Sequence, residues 1–307
     1  MTSLLASIAS PHRGTVVVGP LTIHMYGLML LLAIGACILV SGRRWVARGG
    51  DWDLIYRCAV WGVGAGIVGA RLYHLATSWD QVPKEWWGPF AIWRGGLGVW
   101  GGIAAGVLVG SIVARRAGAN VPVLMDCVAP GLLVAQGIGR LGNWWNQELF
   151  GKPTSLPWGL RIDPAHRPIQ YLDRATFHPT FLYELLFDLA AAGFLIWLER
   201  RRPIQQPGIF ALYVALYCFG RFGVEYLRID PAHHIAGLRL NDWVAAIGFF
   251  AALVWFRRTQ AGGTGGGGGS QPRQPSRLMP KRLRRKPKAP PPPPTMAVPK
   301  SRVRQGR

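Results

Sequence analysis

Four polar side chains that could bind an anion lie close together in the stretch GRLGNWWNQELFG, residues 139–151. They are one guanidinium, two amides and one carboxylate, contributed by Arg140, Asn143, Asn146 and Glu148. A guanidinium is planar and donates two parallel hydrogen bonds to a carboxylate or a phosphate. The stretch follows a run of apolar residues, so this chemistry is predicted to lie at the edge of an apolar environment.

A second charged group occurs in GRFGVEYLRID, residues 220–230. Arg221, Glu225 and Arg228 recur at positions i, i+4 and i+7, which places them on one face of a helix. One interpretation is a structural ladder of ion pairs along that face. The other is a functional cavity, because charges inside a membrane segment are costly and usually serve a function.

The elements that must position these groups are long apolar segments. Hydrophobic residues make up 50% of the 307 residues, yet the formal net charge is +21, which is typical of a membrane protein with basic flanking loops. Residues 25–42 and 97–114 are each uncharged for 18 residues, enough to cross a hydrocarbon core as helices. Weaker apolar segments lie at 54–77, 121–138, 178–199, 208–226 and 241–257. The sequence therefore predicts an all-α polytopic membrane protein with about seven transmembrane helices.

The distribution of arginines predicts the orientation of these helices. Arginine clusters follow the first, third, fifth and seventh helices, at residues 43–48, 115–116, 200–202 and 257–258. Because short cytoplasmic loops are enriched in Lys and Arg, we expect the N-terminus outside and the C-terminus in the cytoplasm. The loop from about 139 to 177 then lies on the outer side, and it is too long to be a simple connector.

Residues 259–307 differ in composition from the rest of the chain. They include GGTGGGGGS, KRLRRKPK and PPPPP, and they contain twelve Lys or Arg and no acidic residue. Such a segment cannot bury a hydrophobic core. We therefore divide the chain into a membrane domain, residues 1–258, and a disordered polybasic cytoplasmic tail, residues 259–307, which is expected to bind anionic membrane lipids. Nucleic-acid binding is not expected, because no aromatic residues are interleaved with the basic ones.

Arg140 and Arg221 are both predicted to lie toward the outer side of the membrane. Two guanidinium groups that converge on one cavity suit a phosphodiester, since each can donate paired hydrogen bonds to phosphate oxygens. The expected ligand is a phospholipid headgroup. No metal or other cofactor is implied, because no set of His, Cys, Asp or Glu residues has the spacing of metal ligands.

The motifs resemble those of the bacterial prolipoprotein diacylglyceryl transferases. GRLGNWWNQELFG resembles the signature of that family, and the companion motifs occur in the family's order: HMYGLM at 24–29, GARLYH at 69–74, RGGLGVWGG at 94–102, HPTFLYE at 178–184 and GRFGVEYLR at 220–228. The similarity covers roughly residues 20–257. The basic tail resembles the extensions of actinobacterial members.

The resemblance implies a multi-pass enzyme of the bacterial cytoplasmic membrane. Such an enzyme transfers the diacylglyceryl group of phosphatidylglycerol to the thiol of the lipobox cysteine in a prolipoprotein signal peptide. The product is a thioether, and glycerol phosphate is released. Phosphatidylglycerol and lipobox signal peptides are therefore the expected partners.

The resemblance also implies roles for individual residues. The expected catalytic residues are Arg140, Arg221, Tyr217 and Glu148. The residues expected to bind phosphatidylglycerol are Arg140, Asn143, Asn146, Gly151, Tyr26, Arg221, Glu225 and Arg228. Many family members carry a histidine where this chain has Trp100, and an indole cannot accept a proton. The general base stays unassigned, and the histidines that remain in the family motifs are His24, His74 and His178.

Two other functions remain open at this point. A transporter or channel would also contain helices with internal charges, but it predicts charges spread across the membrane depth or an internal repeat. A different phospholipid-headgroup transferase would share the arginines but not the signature. Release of glycerol phosphate that depends on a peptide with a lipobox cysteine would distinguish the three functions.

Overall fold

The computed structural model describes residues 7–232 and 234–262. Its long helices are α1 (Met25–Val46), α2 (Trp52–Thr77), α3 (Val99–Arg116), α4 (Val121–Asn146), α5 (Thr180–Arg201), α6 (Gly208–Leu227) and α7 (Leu240–Gly262). Short antiparallel hairpins pair β1 (Thr15–Val18) with β2 (Leu21–His24), β3 (Leu160–Arg161) with β4 (Thr176–Phe177), and β5 (His234–Ile235) with β6 (Leu238–Arg239). Residues 259–262, predicted as the start of the disordered tail, are helical and end α7, and the rest of the predicted tail lies outside the described residues.

Within the described part of the chain, six of these helices are long and apolar enough to cross a membrane. The exception is α2, which has 26 residues but carries Asp53, Arg57 and Arg71. The prediction of an all-α polytopic membrane protein is confirmed, and each predicted segment corresponds to one long helix. The orientation of the helices across the membrane stays a prediction.

Arg71 explains why α2 tolerates an internal charge. Its side chain is buried and donates hydrogen bonds of 2.7–3.0 Å to four backbone carbonyls, those of Gly88, Pro89, Gly95 and Gly96. A buried guanidinium needs such partners, because an unsatisfied charge is costly in an apolar environment. Arg71 therefore holds the non-helical segment that precedes α3.

Helices α2 and α3 pack through glycines. A Cβ at Gly69 would lie 2.5 Å from the carbonyl oxygen of Gly101, and a Cβ at Gly101 would lie 2.3 Å from that of Gly69. Gly66 and Gly102 make the next close approach along the two helices. Membrane helices lack a hydrophobic driving force between them, so close backbone contact of this kind supplies the packing energy.

Helix α4 lies at the centre of the bundle, since it packs against α1, α5 and α6. Its Leu133 is completely buried together with Leu195 of α5 and Ile209 of α6. This core fixes the three helices that carry the charged groups of the two sequence motifs.

The structure corrects the predicted start of the outer loop. The outer loop was expected to begin at about residue 139, but α4 continues to Asn146 and ends at Gln147, whose φ of 51° is left-handed. The polar residues Arg140, Asn143 and Asn146 recur every three residues, so they share a face of the helix and do not interrupt it. The charged part of the signature is therefore positioned by a helix and not by a loop.

Candidate functional site

Arg140 of α4 is joined to α5 by an ion pair. Its Nε lies 2.7 Å from Oε2 of Glu184, and the two side chains are only 20% and 10% exposed. Arg140 also lies within electrostatic range of Asp188 and Tyr217, but among the described residues it forms no second ion pair, and its terminal nitrogens donate no hydrogen bond. The two outermost donors of this guanidinium therefore remain for a ligand.

Glu184 also approaches the second predicted arginine. The same Oε2 lies 3.6 Å from Nη1 of Arg221, which is 16% exposed. The other terminal nitrogen of Arg221 lies 2.5 Å from Oε2 of Glu225, one helical turn further along α6. One carboxylate thus lies between the two guanidinium groups that were predicted from separate motifs, and it holds them together.

Glu225 is completely buried and pairs with three arginines. Besides Arg221, these are Arg239, with Nε at 2.7 Å, and Arg228, with Nη1 at 3.8 Å. Arg228 and Arg239 also bind Asp230 at 2.6 and 2.9 Å. Burial raises the pKa of Asp230, but the hydrogen bonds and charges of Arg228 and Arg239 together outweigh it, and the pKa is lowered from its ordinary value.

The ion-pair interpretation of GRFGVEYLRID is thus supported by contacts. Glu225 and Arg228 already have partners within the protein, and these include Asp230 at the end of the motif and Arg239 from beyond it. The predicted contact of Glu225 and Arg228 with a lipid headgroup stays a prediction. Their observed contacts connect the C-terminal end of α6 to the hairpin before α7.

The amides of the signature bind its carboxylate. Nδ2 of Asn143 lies 2.9 Å from Oε1 of Glu148, and Nδ2 of Asn146 lies 3.3 Å from the same atom. Among the described residues, neither amide bonds to Arg140. The two amides and the carboxylate therefore form a separate hydrogen-bonded group at the end of α4. This group lies about one to two helical turns after Arg140 in the chain.

Gly151 joins the end of the signature to two helices. Its N–H donates to the carbonyl of His178 at 3.0 Å, and the glycine pairs with Arg228 in an isolated β-bridge. An added Cβ would lie 2.8 Å from Cβ of His178 and 3.1 Å from the carbonyl oxygen of Leu227. The position has no room for a side chain, so its observed role is close backbone packing, and its predicted contact with lipid stays a prediction.

Two tyrosines reach the site from α1 and α6. The ring of Tyr26 packs against Gly142 of the signature, where an added Cβ would lie 2.6 Å from a ring atom. Tyr217 lies within electrostatic range of Arg140 and Arg221. Tyr26 therefore lies against the signature helix, and Tyr217 lies near the two arginines. Their catalytic and binding roles stay predictions.

The described contacts of the Trp100 and His178 side chains do not include the two arginines. The Trp100 side chain is 57% exposed near the start of α3, a helix that packs mainly against α2. Nδ1 of His178 lies 3.2 Å from the hydroxyl of Tyr183, and desolvation together with Lys152 lowers the pKa of His178. Within the described residues, no hydrogen bond or ion pair links either side chain to Arg140.

A polar cavity of about 390 Å³ opens beside the end of the signature. Its walls are residues 145–148, Pro11, His12 and Gly14 of the N-terminal segment, and His166. Among the described residues, no group of three or more His, Cys, Asp or Glu side chains could hold a metal ion. The volume and polar lining of the cavity suit a polar organic group or a short peptide segment.

Sequence reasoning did not assign several residues that the structure brings to the site. Glu184 had a signal, because it is an acidic residue inside an apolar segment and closes the motif HPTFLYE. No sequence signal pointed to Arg239 or His12, since neither lies in a matched motif. Their contacts with Glu225 and with the cavity depend on chain segments that are distant in sequence.

The chain is similar along most of its length to proteins of one family. Residues 14–258 match the family described as prolipoprotein diacylglyceryl transferase. A phosphatidylglycerol–prolipoprotein diacylglyceryl transferase of Cutibacterium acnes is 51% identical over 251 residues, which covers 81% of this chain and 85% of that protein. A protein of the same name from Streptomyces coelicolor, numbered 2, is 48% identical over 252 residues, covering 81% and 80% of the two chains. One from Streptomyces griseus is 44% identical over 254 residues, covering 82% and 77%.

Proposed function

The chain belongs to the prolipoprotein diacylglyceryl transferase family, and we infer that it is a multi-pass enzyme of the bacterial cell membrane. It transfers the diacylglyceryl group of phosphatidylglycerol to a prolipoprotein. The acceptor that we propose is the thiol of a lipobox cysteine. The products are then a thioether and glycerol phosphate.

The observation that supports this chemistry best is the hydrogen bonding of the Arg140 guanidinium. Its Nε is engaged by Glu184, while its terminal nitrogens donate no hydrogen bond to a described residue. Two adjacent donors on one planar group match two oxygens of a phosphodiester. We therefore propose that Arg140 binds the headgroup phosphate, with Arg221 beside it on the same carboxylate.

The ion-pair group concentrates arginine side chains at this site. It contains four arginines and three carboxylates, namely Arg140, Arg221, Arg228, Arg239, Glu184, Glu225 and Asp230. Two further buried carboxyl groups adjoin it: Asp188, which interacts with Glu184 and Arg140, and Asp242, which accepts a hydrogen bond from the N–H of Arg239. The arginines thus outnumber the carboxylates only within the direct ion pairs.

The same arginines favour the transition state over the bound substrate. When the sulfur attacks the glyceryl carbon, the carbon–oxygen bond to phosphate breaks, and the phosphate leaves with a second negative charge. Preorganised donors stabilise charge that develops during a reaction more than charge already present. Arg140 and Arg221 are thus expected to contribute to kcat as well as to lipid binding.

We propose that this site faces the outer side of the membrane. Arginines occupy the last turns of α1, α3 and α5, which supports a cytoplasmic location for those ends. Arg140 lies near the last turns of α4, a helix that runs in the opposite direction if these helices alternate. The polybasic tail would then follow α7 on the cytoplasmic side, where we propose that it binds anionic lipid headgroups.

The test is a transfer assay with the purified full-length protein in vesicles that contain phosphatidylglycerol labelled in its headgroup glycerol. We expect release of labelled glycerol phosphate only when a peptide with a lipobox cysteine is present. A peptide with serine in place of that cysteine is the matched control. Release without any peptide would indicate a different headgroup transferase or a hydrolase, and flux of a solute without release would indicate a transporter.

A further inference from the structure

The N-terminal segment before β1 is fixed against the end of the signature. Nε2 of Gln147 donates to the carbonyl of Pro11 at 2.8 Å, and the N–H of Met25 donates to the carbonyl of Gly14 at 2.9 Å. These bonds lie on either side of His12 in sequence. The chain therefore holds His12 at the wall of the polar cavity, although its side chain is 84% exposed.

A carboxylate orients the imidazole of His12. Nδ1 of His12 lies 2.9 Å from Oδ2 of Asp163, and Nε2 of Gln147 donates to the same oxygen at 2.7 Å. The hydrogen bonds of Gln147 and His12 lower the pKa of Asp163 from its ordinary value. Asp163 is then a carboxylate and can only accept, so Nδ1 of His12 carries the hydrogen. When the ring is neutral, its lone pair is therefore on Nε2.

His12 and the end of the signature line one cavity. Asn146 and Glu148 line the same cavity as His12, and Asn146 follows Arg140 by six residues on α4. Six residues of α-helix correspond to about 9 Å along the axis. A peptide segment in the cavity could thus present a side chain to a headgroup bound at Arg140.

We propose that His12, positioned by Asp163, is the general base that accepts the proton of the acceptor thiol, an inference that rests on the transfer reaction proposed above. The S–H proton moves to Nε2 of His12, and the sulfur forms a bond to the glyceryl carbon. The bond from that carbon to the phosphate oxygen breaks, and glycerol phosphate leaves with the electron pair. The imidazolium then returns its proton to water.

The other titratable groups that face His12 are less suited to this role. His166 lines the same cavity and lies within electrostatic range of Asp163, but among the described residues it forms no hydrogen bond with a carboxylate that would fix its tautomer. Glu148 already accepts hydrogen bonds from Asn143 and Asn146. Trp100 has no basic nitrogen, although the family resemblance implies a histidine at this position.

The test measures kcat/KM against pH for the full-length, membrane-inserted His12→Gln variant, with a lipobox cysteine peptide as acceptor. We expect a fall of about 100-fold or more, the usual contribution of a general base, and loss of the acidic limb of the profile. His234→Gln changes an exposed histidine of β5 and should match the wild-type protein. An unchanged thermal transition for both variants shows that folding is not the cause.

A peptide with selenocysteine in place of cysteine separates a base from a binding residue. A selenol ionises more readily than a thiol, so it needs no base near neutral pH. We expect the His12→Gln variant to react with this peptide at a rate within about threefold of the wild-type rate. Asp163→Asn should show a smaller loss with cysteine and the same rescue.

Two results would overturn the assignment of His12. One is a near-normal rate of the His12→Gln variant with the cysteine peptide, and the other is an equal loss with both peptides. Failure of the transfer function itself gives a different pattern, because the wild-type protein would then release no glycerol phosphate with either peptide.

Discussion

Nε of Arg140 on α4 and Oε2 of Glu184 on α5 lie 2.7 Å apart, and this ion pair connects two helices at the proposed active site. Glu184 extends the connection to Arg221 on α6. The two guanidinium groups are thus held in place before any lipid binds. Preorganisation of this kind reduces the entropy that substrate binding must otherwise offset.

Replacement of Glu184 by Gln should lower kcat at least tenfold, which corresponds to about 1.4 kcal/mol. The amide keeps the shape of the side chain but removes the charge that holds both arginines. Asp53→Asn is the matched control, because Asp53 pairs with Arg57 at 2.9 Å on an exposed surface, where such pairs contribute little. A wild-type kcat for Glu184→Gln would show that the arginines do not depend on this carboxylate.

Arg140→Lys should reduce the transfer rate nearly as much as Arg140→Ala. Lysine keeps the charge, but a single ammonium cannot bind Glu184 and two phosphate oxygens in the same geometry. A lost charge-assisted contact costs about 1.5–3 kcal/mol, or roughly one to two decades in rate. The measurement is transfer of labelled diacylglyceryl to a lipobox peptide, with Arg57→Lys as control. If the lysine variant turned over normally, the bidentate contact would have to be abandoned.

The double variant Arg140→Ala with Arg221→Ala should lose less activity than the sum of the single losses, since both arginines are expected to bind one phosphate. Because both arginines contact Glu184, the double variant should also lose less thermal stability than the sum of the single losses. The measurements are kcat/KM and the unfolding midpoint of the wild-type protein, the two single variants and the double variant. Strict additivity in both quantities would indicate that the two side chains act independently.

Trp100→His should not raise the transfer rate. The side chain is more than half exposed, and no described hydrogen bond or ion pair links it to the arginines. Trp100→Ala should act mainly through lost packing of α3. The measurement is the pH profile of kcat/KM for both variants. A large gain for the histidine variant, with a new titration near neutral pH, would instead identify this position as a site for the base.

Gly151→Ala should lower both activity and the thermal transition. The added Cβ would lie 2.8 Å from Cβ of His178, so the backbone that joins the signature to α5 and α6 must shift. Gly193→Ala is the control, because nothing lies within 4 Å of the corresponding Cβ in α5, and alanine is the better helix former. Loss of activity without any change in stability would favour a direct role of Gly151 in lipid binding.

The sequence by itself determined the helices and the type of chemistry. Each apolar segment became one long helix, because in hydrocarbon the backbone must satisfy its hydrogen bonds within the segment, which is a local requirement. The arginines of the two motifs likewise indicated an anionic ligand without knowledge of their surroundings. The end of α4 was wrong, since polar residues at helical spacing were interpreted as a loop, and α7 continues to Gly262, past the predicted start of the tail.

The tertiary structure alone decided which groups are partners. Glu184 was visible as a buried acid, but its position between Arg140 and Arg221 depends on how α4, α5 and α6 pack. His12 and Asp163 are 151 residues apart in sequence and meet because the N-terminal segment lies against the loop after the signature. Such contacts depend on the shapes of side chains across several helices at once, and no local pattern of residues encodes them.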